Sequence, residues 1–159
     1  MAIQKISPFL WFDSQAEEAI NFYVSIFKNS KVIGMNRAPE GGPMPEGTVM
    51  SGTFVLDGVE FLALNGGPMF KFTEAISLFV KCADQAEVDY FWDKLVAGGG
   101  RHDQCGWLKD RFGLSWQIIP NRLGELLGDK DGKRASRAMQ AMLQMKRIDV
   151  AKLEAAAKG

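Results

Sequence analysis

Two stretches of the chain decide its fold: residues 6–17 read ISPFLWFDSQAE, and residues 76–87 read ISLFVKCADQAE. They are identical at six of twelve positions and lie 70 residues apart. In each stretch an apolar, β-branched and aromatic run precedes polar residues that can start a helix. The repeat therefore predicts that a strand–helix unit occurs twice in the chain.

Further strands are indicated after each strand–helix pair. The segment 39–47 holds three prolines and three glycines, which predicts a loop, and Asp57-Gly58 favours a hairpin turn. Gly98–Gly100 is expected to end the second helix, and Arg111-Phe112-Gly113 to form a second hairpin turn. The strand candidates are Ile3–Phe12, Lys31–Arg37, Thr48–Leu56, Val59–Leu64, Cys105–Asp110 and Leu114–Ile119, and Asp13 or Ser14 is expected to cap the first helix.

The pattern predicts an α+β protein of two βαβββ modules, residues 1–66 and 67–120, followed by a helical extension over 121–159 with Asp149 as an N-cap. The extension carries nine Lys and Arg against five Asp and Glu, a net charge of +4, which leaves −4 for residues 1–120. These opposite charges favour docking of the extension onto its own body or onto a partner subunit.

Composition excludes several classes of protein. Across 159 residues, 19 Lys and Arg balance 19 Asp and Glu, so the cation excess typical of nucleic-acid binding is missing. No apolar run reaches the length of a membrane helix, and we expect a cytoplasmic protein. Cys82 and Cys105 lie in no CxxC motif and have no neighbouring histidine, which argues against a zinc or redox site.

Two longer segments resemble a known family. SPFLWFDSQAEEAINFYVSIF (7–27) and CGWLKDRFGLSWQIIP (105–120) resemble the opening and closing motifs of the PhnB-like branch of the vicinal-oxygen-chelate superfamily of glyoxalase, bleomycin-resistance and ring-cleaving dioxygenase proteins. The C-terminal extension resembles a subgroup labelled 3-demethylubiquinone-9 3-methyltransferase. The resemblance implies that the two modules form a cupped mixed sheet and that the chain is a homodimer.

The resemblance also locates the positions that hold a metal ion in metal-dependent relatives, on the first and last strand of each module. Here they fall on Pro8, Leu62, Leu78 and Gln117. Proline and leucine side chains offer no lone pair, and glutamine alone is a weak ligand, so we expect no metal site. We expect no cofactor either, because the Gly-rich strand–helix turn that binds S-adenosylmethionine is missing, which argues against methyl transfer.

Side-chain alternation along the strands predicts a mostly apolar cavity that takes a small, largely apolar or aromatic molecule. Gln117 and Glu60 would orient the molecule, and Trp107 and Lys109 would lie at the cavity mouth or on an ordinary hairpin tip. Alternatively, large side chains simply fill the cavity. The predicted ligand-binding residues are Pro8, Leu10, Phe12, Glu60, Leu62, Leu78, Val80, Trp107, Lys109 and Gln117.

Our leading functional hypothesis is a metal-independent small-molecule-binding protein. The alternative is an enzyme that uses acid/base chemistry, with Glu60 or His102 as the base and Lys109 or Arg111 holding an anion. A second alternative is a structural or assembly role. Arg37 with the loop 39–47 could form a lid, or the loop could be a disordered connector.

Overall fold

The computed structural model describes residues 3–159, and the chain divides into two compact units, one that ends at Phe72 and one that spans Thr73–Gly159. The first unit contains β1 (Phe9–Phe12), α1 (Ala16–Ile26), β2 (Lys31–Arg37), β3 (Val49–Leu56) and β4 (Val59–Asn65). The second contains β5 (Ser77–Cys82), α2 (Gln85–Val96), β6 (Arg101–His102), β7 (Trp107–Lys109), β8 (Ser115–Pro120), α3 (Asn121–Leu127), α4 (Gly132–Leu143) and α5 (Val150–Lys158).

Both units have the same sheet topology. The strand orders are β1-β4-β3-β2 and β5-β8-β7-β6, and in each sheet the first and last strands of the module pair in parallel. The other pairs are antiparallel. The predicted βαβββ pattern and the α+β class are thus confirmed.

One helix packs on one face of each sheet. In the first unit Ile20 of α1 is fully buried, and it lies so close to β3 that a Cβ added to Gly52 would come within 2.7 Å of its Cδ1 atom. Phe54 and Ala63, on the same sheet face, are also fully buried. Glycine at position 52 therefore lets the helix and the sheet approach closely.

The start of the first unit differs from the sequence prediction. β1 begins at Phe9 rather than at Ile3, since Pro8 has no N–H to continue the strand pairing. The side chain of Gln4 takes over part of that pairing: its amide donates to the carbonyl of Glu60 (2.9 Å) and accepts from the N–H of Glu60 (3.0 Å).

The capping of α1 also differs. The predicted caps Asp13 and Ser14 lie before Gln15, the N-cap residue, whose side chain makes no cap hydrogen bond. Instead, the N–H of Ala16 donates to Oδ1 of Asn65, at the end of β4 (2.8 Å). A residue 49 positions away caps the helix, which no local sequence pattern could indicate.

The predicted turns are confirmed. Asp57 and Gly58 both have positive φ (45° and 79°), as the tight hairpin turn between β3 and β4 requires. α2 ends at Val96, and Gly98 follows with a φ of 83°. A turn closed by the hydrogen bond from Gly113 N–H to the Asp110 carbonyl (3.0 Å) joins β7 to β8.

The C-terminal helices pack on the second unit. Arg147, which precedes α5, pairs with Asp89 (3.3 Å) and Asp93 (2.5 Å) of α2, so the basic extension docks on the acidic body of its own chain. Asp149 caps α5 through the N–H of Lys152 (3.0 Å), as predicted. Among residues 3–159, none of the helices has the length and apolar character needed to cross a membrane.

Candidate functional site

The sheet face opposite α1 in the first unit and opposite α2 in the second is the candidate recognition surface, and we call it the helix-free face. In the second unit one end of this face, at Ile119, packs against the C-terminal helices. In the first unit the parallel register pairs Phe9 with Leu62 and Leu10 with Ala63. Ala63 and Leu10 (6% exposed) are buried on the helix side, whereas Phe9 is 54% exposed. Because partner residues in parallel strands point to the same side, Phe9 and Leu62 share the helix-free face.

Several predicted site residues of the first unit therefore do not come together. Leu10 and Phe12 (3% exposed) point to the side of the sheet that carries α1, whereas Leu62 and Glu60 point to the helix-free face. Pro8 precedes β1, and its carbonyl accepts from the N–H of Leu62 (2.9 Å). The prediction aligned Pro8 with Leu62, but this hydrogen bond sets the register one residue later, at Phe9.

The second unit repeats this geometry. Phe79, which is 53% exposed, pairs with Gln117, and Leu78 pairs with the buried Trp116. Val80 pairs with Ile118, which is fully buried on the helix side. Gln117 thus lies on the helix-free face, but the predicted ligand residues Leu78 and Val80 point to the opposite face.

Two rows of side chains cross the helix-free face of the second unit. In the first row, Phe79, Gln117 and Trp107 are register partners on β5, β8 and β7, so an amide lies between two aromatic side chains. The second row, two residues along β8, is polar and consists of Ser77, Ser115, Lys109 and Arg101. The Nε2 atom of Gln117 donates to the Ser77 hydroxyl (2.9 Å), which links the rows and orients the amide.

Charged residues surround the polar row. Glu74 pairs with Lys109 and, at 3.6 Å, with Arg101, and Arg101 also pairs with Asp103 at 2.8 Å. The hydrogen bond from Lys109 is the main reason that the pKa of the Glu74 carboxyl lies below its ordinary value. Lys109, which the sequence placed at a cavity mouth or on an ordinary hairpin tip, thus lies in the polar row and is already paired with a carboxylate.

Each of the two predicted bases already has a hydrogen-bond partner in its own unit. Glu60 lies on the helix-free face of the first unit and accepts a hydrogen bond from the Ser7 hydroxyl at 3.3 Å. His102 pairs with Leu108, so it lies on the helix side, and its Nδ1 atom accepts from Nε1 of Trp92 (3.0 Å). The structure thus gives His102 a packing role against α2 and places it on the opposite face from Gln117.

The region between β7 and β8 is built around a buried carboxylate, that of Asp110, to which the sequence assigned no role. Asp110 is 3% exposed and accepts from the N–H groups of Phe112 (2.9 Å) and Leu114 (3.1 Å) and from Nε1 of Trp116 (2.9 Å). These bonds fix the start of β8 and so hold Ser115 and Gln117 in place. The Arg111 guanidinium next to it lies 5.6 Å from the centre of the Phe112 ring.

A family model described as 3-demethylubiquinone-9 3-methyltransferase matches residues 4–119. The chain belongs to this family. The match covers both βαβββ modules and ends before α3.

Solved structures agree with the family assignment. The PhnB protein from Bacillus cereus, which carries the same methyltransferase description, is 38% identical, with a TM-score of 0.64 over 74% of this chain and 99% of its own. A protein from Pseudomonas aeruginosa is 19% identical (TM-score 0.63, 74% and 98%). The fosfomycin resistance protein FosX from Listeria monocytogenes is 16% identical (TM-score 0.52, 79% and 98%).

These likenesses place the 3-demethylubiquinone-9 3-methyltransferase family, and this chain with it, in the glyoxalase/bleomycin-resistance type of fold. The Pseudomonas aeruginosa protein, at 19% identity, and FosX, at 16% identity, are evidence for the fold alone. Among curated proteins, none matches this chain.

The metal ion of metal-dependent superfamily members does not fit the residues that this family member offers. The strand pairing brings Phe9 beside Leu62 on one helix-free face and Phe79 beside Gln117 on the other. Three of them have no donor atom in the side chain, and a divalent ion needs about three protein ligands or more. Among residues 3–159, no three His, Cys, Asp or Glu side chains lie where they could hold a metal ion together.

A cavity of about 500 Å³ lies in the second unit, between α2 and the segment that joins α4 to α5. Its lining includes the paired residues Asp89 and Arg147, and Gln85, whose amide donates to the Ile148 carbonyl (3.0 Å) and accepts from Val150 N–H (2.8 Å). The polar groups of Gln85 and Arg147 are thus engaged in docking the extension. This cavity involves none of the predicted ligand-binding residues.

Proposed function

We propose that this family member binds a small, largely apolar or aromatic molecule without a metal ion, on the helix-free faces of its sheets. The observation that carries the proposal is the pair of phenylalanines at matching register positions. Phe9 beside Leu62 and Phe79 beside Gln117 are each more than half exposed, at 54% and 53%. Phe9 adjoins the half-buried Leu62, and Phe79 lies in one row with the half-buried Trp107; contiguous exposed apolar surface of this kind is typical of binding sites.

Covering these rings makes a modest favourable contribution to the free energy of binding. Fully burying a phenylalanine side chain contributes about 1.5–3 kcal/mol, so covering the exposed half of Phe79 contributes about 1 kcal/mol. Trp107, on the other side of Gln117, adds a second aromatic surface. The Gln117 amide, oriented by Ser77, supplies the polar contact that fixes the direction of the bound molecule.

Metal independence is supported by the chemistry of the side chains at these positions. Hydrocarbon side chains at Phe9, Leu62 and Phe79 cannot hold or polarise an ion, but they make contact with an apolar molecule. The methyl transfer in the family's description receives no support from the folding pattern, since each sheet has only one parallel pair and no Gly-rich turn leads from its first strand into a helix. We further propose that the protein is a homodimer, which a mass measurement in solution tests.

The test is a binding screen with neutral aromatic and aliphatic compounds, followed by titration calorimetry of the hits. We expect saturable binding of aromatic compounds that weakens about fivefold in Phe79→Ala, the equivalent of about 1 kcal/mol, and at least as much in Gln117→Ala. Leu143→Ala is the matched control, because Leu143 is 52% exposed and lies on α4, which contributes no residue to either helix-free face. Failure of every aromatic compound to bind, or a stoichiometric divalent ion bound through Gln117, would contradict the proposal.

A further inference from the structure

Ser115 has an unusual environment for a hydroxyl group. It is only 1% exposed, and its Oγ atom has no hydrogen-bond partner. A buried hydroxyl without a partner costs about 1–3 kcal/mol, so a water or a bound molecule that supplies a partner at this position is stabilised. Its register partners Ser77 and Lys109 place it in the middle of the polar row, on the helix-free face beside the aromatic row.

An ion pair spans the strand that carries this hydroxyl. Glu74 leads into β5, at the edge of the sheet, yet its carboxylate contacts Lys109 on β7 and Arg101 on β6. Because β8 lies between β5 and β7, the ion pair joins a residue that precedes β5 to β7, on the far side of the strand that carries Ser115. Two cationic side chains thus converge on one carboxylate beside a hydroxyl that lacks a partner.

We propose that this polar row is a carboxylate-binding subsite, in which Glu74 takes the place of the carboxylate of a bound molecule. The inference rests on the proposed function and deepens it by naming the class of ligand, an aromatic carboxylate. Its ring lies over Gln117 between Phe79 and Trp107. Its carboxylate displaces Glu74, pairs with Lys109 and accepts a hydrogen bond from Ser115.

The spacing of the rows sets the shape of the ligand. Two residues along a strand span about 7 Å, so a carboxylate attached directly to a ring is too short, and a linker of about two carbons fits. A carboxylate rather than a larger anion is favoured, because the group now held by Lys109 is itself a carboxylate. Arg101 stays paired with Asp103 after the exchange, so the local charge remains balanced.

Exposure allows the exchange to occur at little cost. The Glu74 side chain is 54% exposed, and exposed ion pairs of this kind contribute little to stability. Lys109, by contrast, is 19% exposed and keeps its position when Glu74 moves away. Glu74 therefore competes with the ligand for Lys109 and lowers its apparent affinity.

Titration calorimetry with 3-phenylpropionate and its neutral amide, 3-phenylpropanamide, at constant ionic strength tests the subsite. We measure the ratio of the two affinities, which isolates the contribution of the carboxylate. Glu74→Gln is expected to raise the ratio about two- to fivefold, the range set by an exposed ion pair. Lys109→Met is expected to lower it by at least as much, and Ser115→Ala about tenfold. Glu125→Gln, which alters an exposed ion pair of α3, is the matched control and should leave the ratio unchanged.

Each other outcome overturns the inference in a recognisable way. In one outcome, the amide binds and Phe79→Ala weakens its binding, but the ratio of the two affinities is the same in Glu74→Gln, in Lys109→Met and in the unaltered chain. The carboxylate subsite is then wrong, and the proposed function stands. If neither compound binds to any variant, the subsite fails together with binding on the helix-free face. Circular dichroism of each variant checks that the second unit is folded.

Discussion

Replacing Asp110 by alanine should destabilise the second unit severely. The carboxylate is 3% exposed and accepts from two backbone N–H groups and the indole of Trp116, at 2.9–3.1 Å. A buried donor left without an acceptor costs about 1–3 kcal/mol, and the N–H of Phe112 can be hydrated because that residue is only half-buried. The expected loss in the free energy of unfolding is therefore about 3–5 kcal/mol.

The measurement is urea unfolding followed by far-ultraviolet circular dichroism, with Asp93→Ala as the matched control. Asp93 is 65% exposed and forms one ion pair with Arg147, so its removal should cost less than about 1 kcal/mol. Asp110→Asn keeps an acceptor for the backbone N–H groups but turns a donor toward Trp116. Its loss in the free energy of unfolding should therefore lie between those of Asp93→Ala and Asp110→Ala. A loss in Asp110→Ala no larger than that of the control would refute the role assigned to the buried carboxylate.

A double-mutant cycle isolates the contact with the indole. Trp116→Phe removes the donor while keeping an aromatic ring, so the cost of Asp110→Ala should shrink by about 1–2 kcal/mol in that background. Strictly additive losses would mean that the hydrogen bond contributes nothing and that Asp110 acts only through the turn.

Three further perturbations follow from single contacts. His102→Ala removes the acceptor of the buried Trp92 indole and should lower the free energy of unfolding by about 1–3 kcal/mol in urea titrations. Gly66→Ala places a Cβ 2.3 Å from the Trp11 ring and should push the indole off its 2.9 Å hydrogen bond to the Gly67 carbonyl, which tryptophan fluorescence and urea unfolding report. Burial raises the pKa of Cys82 from 9.0 to about 12, so the folded state retains a proton that the unfolded chain loses, and stability should fall as the pH rises above about 9.

Matched controls separate these effects from general damage. Gly34→Ala, where a Cβ meets nothing within 4 Å, should leave the stability and the fluorescence nearly unchanged. Cys82→Ala should flatten the alkaline decline. A decline of the same slope in Cys82→Ala would assign it to other groups. His102→Gln, which can still offer an acceptor, should recover part of the loss seen in His102→Ala.

The repeated sequence predicted the fold well, because strand alternation, turn glycines and helix periodicity are local signals. Asp57-Gly58 and Gly98 form the turns that their sequence indicates, and Asp149 caps its helix as expected. What local reasoning missed depends on contacts between distant residues. Asn65 caps α1 from the far end of the sheet, and Gln4 completes the pairing of β4 from outside any strand.

The candidate site could be located only to within one residue along its strands. Prediction chose Pro8 and Leu78, but the helix-free faces carry Phe9 and Phe79, since the parallel register is set by hydrogen bonds that a single sequence does not reveal. A shift of one residue reverses the face of every side chain on the strand. Gln117, Leu62 and Glu60 do lie on the helix-free faces, because the hairpin glycines fix the phase of the last strand in each module.

The Gln4 side chain also bears on how the protein avoids aggregation. Beyond the short first strand, the backbone of Glu60 would offer a bare donor and acceptor, which is the kind of ladder end onto which another polypeptide can add and begin an aggregate. The glutamine amide occupies both groups at once, at 2.9 and 3.0 Å. Self-protection against fibre growth at this edge therefore depends on one side chain that belongs to no helix or strand.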